Sequence, residues 1–461
     1  MAWALGPLII SFLRDQRRWL WVGAPLARSP AFHERRARRL VGTIVRLGPT
    51  WVKLAQVFAA RADLVDEPYL SQLGTLVDAV PAVPWPQIAR ELEAAYGAGP
   101  TGPFDALDQT PIAAASLGQV HRARYEGRDV VVKVLRPGIE SVVARDVHAA
   151  RVLTAWAARR WPVAHVQAMQ AMVEEFAERV AEELDFRMEA AYATEVATNF
   201  ANTPDVVIPE VIQPLVRRRV LVLTFVAGTR VDRLPPDTVD AKRLATAVMT
   251  TYVQMMLVDG LFHADPHPGN LLVDAQGRLV LLDFGMMVRV PRALRLTLVR
   301  SVFAAVRRDV RGVADGFFAL GLAAPGADPA EITRLAQVMI TMADSVSTTR
   351  DRLEVILTDR IMSTLYDFPV ILPRELVYFA RTAALIEGLG TRYDPYFNAI
   401  AVGTPLVLRM RTSILRSLGD DAKPSVEEVA AIAGWAAGVA VTRARAAFRG
   451  VRAAARALVG A

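Results

Sequence analysis

Apolar positions along the chain change their period from one stretch to the next. Residues 1–104 are mostly helical in pattern and end in two Pro/Gly-rich loops, PAVPWP at 81–86 and GAGPTGP at 97–103. In 105–228 the pattern is mixed. DVVVKVL (129–135) is a β-branched run bounded by Gly127 and Pro137 and predicts a strand. RRRVLVLTFV (217–226) predicts another, closed by Ala227-Gly228, and the Glu/Ala-rich stretch 166–200 predicts a long helical segment. Residues 229–420 read as mainly helical, with short strands at LLV (271–273) and LVLLDF (279–284). Residues 421–461 read as an Ala/Arg-rich amphipathic helical tail, and no internal repeat is visible. The expected organisation is therefore a helical extension (1–104), a strand-bearing lobe (105–228), a larger helical lobe (229–420) and a tail (421–461). The fold class is α+β and two-lobed.

Composition narrows the class. With 22% charged and 53% apolar residues over 461 positions, global disorder is excluded. The chain has no cysteine, which removes disulfides, Cys-based zinc sites and thiol catalysis. The net charge of +7 is uneven: residues 1–46 carry +7 and residues 443–461 carry +5, which leaves −5 for everything between. Basic ends on a slightly acidic body suit an anionic surface better than a nucleic acid, so no nucleic-acid partner is expected. The apolar opening MAWALGPLIISFL lacks the basic stretch of a secretory signal. No run of 18 clean apolar residues occurs; 244–258, with Gln254 inside it, and 429–442 come nearest.

The chemistry concentrates after the midpoint. His263-Ala264-Asp265-Pro266-His267-Pro268-Gly269-Asn270 is followed thirteen residues after Asn270 by Asp283-Phe284-Gly285. Phosphoryl transfer needs Mg²⁺ held by hard oxygen ligands and a carboxylate that orients or deprotonates the acceptor. Asp265 suits the second task, and Asn270 and Asp283 suit the first. A zinc or iron site of His263, Asp265 and His267 is the competing reading. The Pro and Gly of PHPGN argue for a rigid loop rather than a helix presenting ligands, and such a site leaves Asn270 and Asp283 unexplained.

Lys133, in the middle of VVVKVL, must snorkel to water or meet an anion. Upstream of Asp-Phe-Gly it reads as a lysine for the α and β phosphates of ATP. Its carboxylate partner lies among Glu174, Glu175, Glu178, Glu182, Glu183, Asp185 and Glu189, and spacing alone does not choose. No GxGxxG precedes Lys133 and no GxxxxGK[ST] occurs. Where a glycine-rich phosphate loop belongs, the chain reads Ala113-Ala114-Ala115-Ser116-Leu117-Gly118-Gln119-Val120, whose methyls crowd a backbone approach to phosphate.

These motifs resemble the UbiB family of atypical protein-kinase-like proteins, over about residues 40–400. GPTWVKLAQ (48–56) looks like the family's KxGQ motif, with Lys53 and Gln56 in place and Ala55 where the motif has Gly. AAASLGQVHRA (113–123) looks like its alanine-rich loop, Glu183-Leu184-Asp185 like its ExD motif, and Glu189 like the glutamate that pairs with the nucleotide lysine. The resemblance implies a kinase-like core with an N-terminal helical extension. It implies that Lys53 and Gln56 meet Glu183 and Asp185 and occlude the site. It also implies ATP and Mg²⁺ as cofactors, ATP contacts from Ala113–Ser116, Lys133, Phe225 and Val226, and Asp265, Lys133 and Glu189 as the catalytic set. Thr224 stands before Phe225-Val226 where relatives often carry Glu. The activity implied is a modest, lipid-linked ATPase tied to quinone or other isoprenoid lipid metabolism. A true kinase for a protein or small molecule, and a nucleotide-gated scaffold for a lipid-biosynthetic complex, are the alternatives.

The tail supports a peripheral membrane location. AAIAGWAAGVAV (430–441) contains a GxxxG spacing, Gly434 to Gly438, suited to dimerisation, but is too short to span a bilayer. Arg445, Arg449, Arg452 and Arg456 then share one helical face. Trp3, Trp19 and Trp21 lie near Arg14, Arg17 and Arg18 at the other end. The expected partners are membrane lipids or isoprenoid and quinone intermediates, with a quinone-biosynthetic complex and a homodimer as further candidates. The expected location is the cytoplasmic side of a bacterial membrane.

Overall fold

The computed structural model describes nearly all of residues 2–345, apart from short gaps at 17–27, 60–64, 66, 77–80, 98, 100, 161–163, 236–240, 265–267 and 324–325, and scattered positions between 382 and 419. The chain divides into two compact units. One comprises 1–198, 208–227 and 282–286; the other comprises 199–207, 228–281 and 287–461.

The first unit opens with helices α1 (Ala2–Gln16), α2 (Pro30–Leu47), α3 (Pro49–Ala59), α4 (Tyr69–Gly74) and α5 (Trp85–Tyr96). Ile44, Val52, Ala55, Leu73 and Leu76 form the small core that joins α2, α3 and α4. Arg36 of α2 is buried among Phe12, Phe32 and Tyr69 and ion-pairs with Asp15, which ties α1 to this cluster. Ala55 lies inside regular helix, so the position where the family motif has Gly needs no glycine-only backbone.

A sheet follows, in the order β1 (Ala106–Leu107), β3 (Gly118–Tyr125), β4 (Arg128–Leu135), β6 (Val220–Thr224), with β2 (Ala113–Ala114) paired to β3. In β4 the two-residue period sorts the side chains. Val130, Val132 and Val134 are fully buried and pack with Ile88 and Leu92 of α5, while Lys133 points to the opposite face. Gly118 faces Leu135 across the ladder, where a Cβ would sit 2.8 Å from the Val134 carbonyl oxygen. Helices α6 (Ile139–Arg160), α7 (Ala164–Glu183) and α8 (Phe186–Asn199) complete the unit, and α3 packs on both α6 and α7. The helical stretch expected over 166–200 is therefore broken at Leu184-Asp185. Asp185 caps α8, its carboxylate accepting from the Arg187 amide at 3.0 Å.

In the second unit a sheet runs β5 (Val206–Val207), β10 (Leu279–Leu281), β9 (Leu271–Val273), β7 (Thr229–Arg230). A separate ribbon pairs β8 (Leu261–His263) with β11 (Met287–Arg289). Helix α9 (Ala241–Val253) runs into a π-helical turn, Gln254–Asp259, that stops at Gly260 with φ of 68°. Helices α10 (Arg292–Val306), α11 (Val310–Ala319) and α12 (Pro329–Ser345) stack around Ala304, Phe317, Ile332 and Leu335. No described helix is long and apolar enough to cross a membrane. The tail 421–461, with its GxxxG spacing and arginine face, lies outside the described residues.

Candidate active site

Lys133 leaves β4 on the face away from the valine core, and α8 supplies its partner. In α8, Phe186, Glu189, Ala190, Ala193 and Val196 are buried, the spacing of one helix face, so Glu189 is carried inward with the apolar side chains. A buried carboxylate requires a cation or several donors. Glu189 has both: Lys133 Nζ donates to its Oε1 at 2.5 Å, and the Phe284 amide donates to the same oxygen at 3.2 Å. The choice among seven acidic residues, open in the sequence, falls on Glu189.

Asp283 completes the cluster. Its Oδ1 lies 3.6 Å from Lys133 Nζ, and its side chain is 48% exposed while that of Glu189 is 5% exposed. Its φ of 54° is left-handed, a conformation aspartate tolerates better than most residues. The Gly285 amide donates to Asp283 Oδ1 at 3.0 Å and holds the carboxylate toward the lysine. Phe284 is wholly buried and anchors the turn.

The electrostatics follow from this packing. Burial works against the charge on Lys133, but Asp283 and Glu189 outweigh it, and the lysine is held above its ordinary value. Burial also pushes Glu189 up; Lys133 opposes that shift and Asp283 adds to it. A firmly charged lysine and a reluctant anion pull in opposite directions. The lysine's direction governs, because its ammonium is flanked by two carboxylates, and the proximity of the second is what burdens Glu189. The outcome is a fixed positive charge beside an exposed carboxylate. A fixed cation of this kind can balance phosphate charge, and a carboxylate beside it is a hard-oxygen donor of the type Mg²⁺ takes.

The helical extension reaches this cluster. Lys53 of α3 ion-pairs with Glu183, the last residue of α7. A Cβ added to Gly285 would meet Asp283 Oδ1 at 3.1 Å, with Glu183 Cγ and Glu189 Oε2 each at 3.9 Å. The Lys53–Glu183 bridge therefore abuts the Asp-Phe-Gly turn. The other two residues of the expected foursome have partners of their own. Gln56 donates to the Leu76 carbonyl at 3.3 Å, within the extension's own core. Asp185 pairs with Arg187, whose guanidinium holds its carboxyl below the usual value. Asp185 sits at the helix break, where its carboxylate caps α8.

The alanine-rich segment is a hairpin corner. Ala113 and Ala114 form β2 against Val120 and Gln119, the Ala115 amide closes on the Gly118 carbonyl at 2.9 Å, and Ser116 is buried. Two residues that sequence reasoning passed over fasten it. Arg136, just beyond β4, donates to the carbonyls of Ala115 at 2.8 Å and Pro81 at 3.0 Å. Gln119 accepts from the Val83 amide at 2.8 Å and donates to the Val83 carbonyl at 3.3 Å, as a strand would. Both tie the loop between α4 and α5 to the corner. The signal was slight: a polar residue inside a strand and an arginine at its end.

Phe225 follows β6, its amide bonded to the Asp129 carbonyl at 2.9 Å and its ring covered by Arg122. Val226, the next residue, is half-buried. In the second unit, Asn270 ends a 3-10 turn, Pro268–Asn270, and leads directly into β9, while His263 is buried in β8. Asp265 and His267 lie outside the described residues. Among the described residues no group of three His, Asp or Glu side chains is arranged to hold a metal. A Mg²⁺ ion shared with phosphates needs only one or two protein oxygens, and the exposed Asp283 carboxylate fits that demand.

Known proteins share this layout. Residues 75–316 match the model of the ABC1 atypical kinase-like domain, more than half of the chain. Protein ACTIVITY OF BC1 COMPLEX KINASE 3, chloroplastic, of Arabidopsis thaliana is 32% identical over 81% of this chain and 53% of its own length. Uncharacterized protein sll0095 of Synechocystis is 31% identical over 84% of this chain and 70% of its own. The chain thus spans little more than half of the plant relative. The solved complex of Rv3197 with erythromycin from Mycobacterium tuberculosis has the same fold, with a TM-score of 0.52 and 20% identity over 86% of this chain and 98% of that one. The family match spans the lysine of β4, the glutamate of α8 and the Asp-Phe-Gly turn alike, and this chain belongs to the ABC1, or UbiB, family of atypical kinase-like proteins.

Proposed function

We propose that the chain is an ATP-dependent enzyme of phosphotransferase type that binds Mg-ATP and turns it over slowly at a membrane surface, in support of quinone or other isoprenoid lipid metabolism. The observation that carries this reading is the Lys133–Glu189–Asp283 cluster. A charged lysine there balances phosphate charge, and a buried glutamate, fixed by the Phe284 amide, keeps its ammonium in place. When bound, Mg-ATP supplies the transferable phosphoryl group. Asp283 is one oxygen ligand for Mg²⁺, and Asn270 is the second that the motif spacing names. Asp265 is assigned from the same motif to orient the attacking oxygen and take its proton. Ala113–Ser116, Phe225 and Val226 are assigned to the nucleotide, with backbone rather than side-chain groups as the natural adenine contacts.

The bridge from Lys53 to Glu183 favours hydrolysis over transfer to a large acceptor. It fixes the extension beside the Asp-Phe-Gly turn, where a protein kinase leaves room for its substrate. Calorimetric titration of Mg-ATP tests the reading at its base. The intact chain should bind, and Lys133→Ala should bind at least roughly tenfold more weakly, since a charge-assisted contact to phosphate is worth about 1.5–3 kcal/mol. Equal affinity in the two proteins would reject the site. If binding is confirmed, a radiolabelled-phosphate assay with candidate acceptors separates hydrolysis from transfer.

A further inference from the structure

Helices α6 and α7 pack on one another as an antiparallel hairpin, and its outer half has an unusual surface. The last buried residue of α6 is Ala150 and the first of α7 is Met172; between them no described residue is buried. About ten residues of α6 therefore continue past the core, a reach of about 15 Å. Such an extension in water is ordinarily clothed in charge of both signs. Here the chain holds no Asp or Glu between Asp146 and Glu174, while Arg151, Arg159 and Arg160 fall in that interval. Arg151 pairs with Glu174 at 2.7 Å, and Arg159 and Arg160 are exposed residues in the last turn of α6.

Large apolar side chains are displayed on the same half. Val152 and Trp156, four residues apart on one face of α6, are 54% and 51% exposed, and Met169 of α7 is 42% exposed. An exposed tryptophan in a stretch of sequence that carries arginines and no acid has the chemistry of a group that settles at a bilayer interface. The ring seeks the boundary between acyl chains and headgroups, and the arginines seek lipid phosphate. No described helix can cross a membrane, so the contact is one of surface insertion.

We propose that the α6–α7 hairpin tip is a docking surface for an anionic lipid bilayer, with Trp156 and Val152 entering the interface and Arg159 and Arg160 meeting the headgroups. This rests on the membrane-surface reading for its occupant, but it names a contact separate from the basic chain ends.

Because the chain has no cysteine, Val152→Cys in this 461-residue chain gives a single attachment point for an environment-sensitive dye. The probes are vesicles of phosphatidylcholine with phosphatidylglycerol, and of phosphatidylcholine alone. The expected result is a blue shift with the anionic vesicles only. Trp156→Asp, an exposed change that should leave the melting temperature intact, is expected to weaken cosedimentation by roughly tenfold or more, as loss of a buried aromatic does. If the protein binds anionic vesicles while the dye stays in water and Trp156→Asp binds equally, the hairpin proposal is overturned and the membrane reading survives. Absence of binding to either vesicle overturns both. A dye response that tracks protein concentration without vesicles overturns lipid as the occupant in favour of a second copy of the chain.

Discussion

Glu189 Oε1 receives two donors at once, Lys133 Nζ from β4 and the Phe284 amide from the Asp-Phe-Gly turn. One carboxylate thus couples the lysine of β4 to the Asp-Phe-Gly turn, across 56 residues of sequence to Lys133 and 95 to Phe284. Glu189→Ala strands a largely buried ammonium and a buried amide. The expected cost is about 3 kcal/mol of stability in urea denaturation, as for a broken buried pair, with loss of nucleotide binding. An unchanged midpoint would show that this pair does not hold the turn.

Lys53 and Glu183 tie α3 to the end of α7 in a partly buried setting. Lys53→Ala should cost only about 1 kcal/mol, because both groups retain access to water. Its clearer signature is local: amide hydrogen exchange should quicken in α3 and in residues 282–286 together, since the bridge abuts Gly285. Exchange that quickens in α3 alone would separate the bridge from the turn.

Gly118 offers a steric test of the hairpin corner. Gly118→Ala places a methyl 2.8 Å from the Val134 carbonyl oxygen, one residue from Lys133. The expected outcome is about 1–3 kcal/mol of destabilisation, read by thermal melting, because strand backbones cannot part without breaking the ladder. Gly127→Ala, with nothing within 4 Å of the added Cβ but a φ of 75°, should cost about 1 kcal/mol through backbone strain alone.

His121 makes stability depend on pH. Burial pushes its imidazole below 6.5, against the opposing pull of the Asp108 carbonyl. That carbonyl can only accept, so Nδ1 donates to it at 2.8 Å, and Nε2 accepts from the Gln119 amide at 2.8 Å. Above pH 6.5 the ring is neutral in both folded and unfolded chains and contributes no slope. As pH falls below that value the unfolded chain binds the proton first, so stability declines. His121→Gln should flatten the decline between about pH 6.5 and 5 in urea titrations. An identical slope in the variant would assign the effect to other groups. Asp274 acts lower on the scale: burial opposes its charge, but the amides of Gln276 and Arg278 and the Arg278 guanidinium hold its carboxyl below 3.8. Its contribution is present above that value and disappears as pH falls through the depressed one.

The strands and the acid–base pairings were legible to different degrees, for physical reasons. The run from Arg128 to Leu135 announced its strand because β-branched residues run together around one lysine, and the turn residues Gly127 and Pro137 bounded it. The helix break at Leu184-Asp185 was hidden inside an unbroken Glu/Ala-rich pattern. Only the cap geometry reveals that Asp185 serves α8, while Glu183 meets Lys53. Gln56 bonds a backbone carbonyl, a contact that no side-chain pattern advertises. Arg136 and Gln119 likewise act on main-chain groups of a linker, so their roles exist only once the chain is folded.

Phosphate release from Mg-ATP by the purified chain, with and without anionic vesicles and beside Asp283→Asn, bears most directly on the proposed activity. Removing one carboxylate charge from Asp283, the proposed metal ligand, should abolish release while leaving the fold intact, and vesicles should stimulate the unaltered protein. Release that is absent from both proteins, or equal in both and indifferent to lipid, would contradict a Mg-dependent ATPase built on Lys133, Glu189 and Asp283.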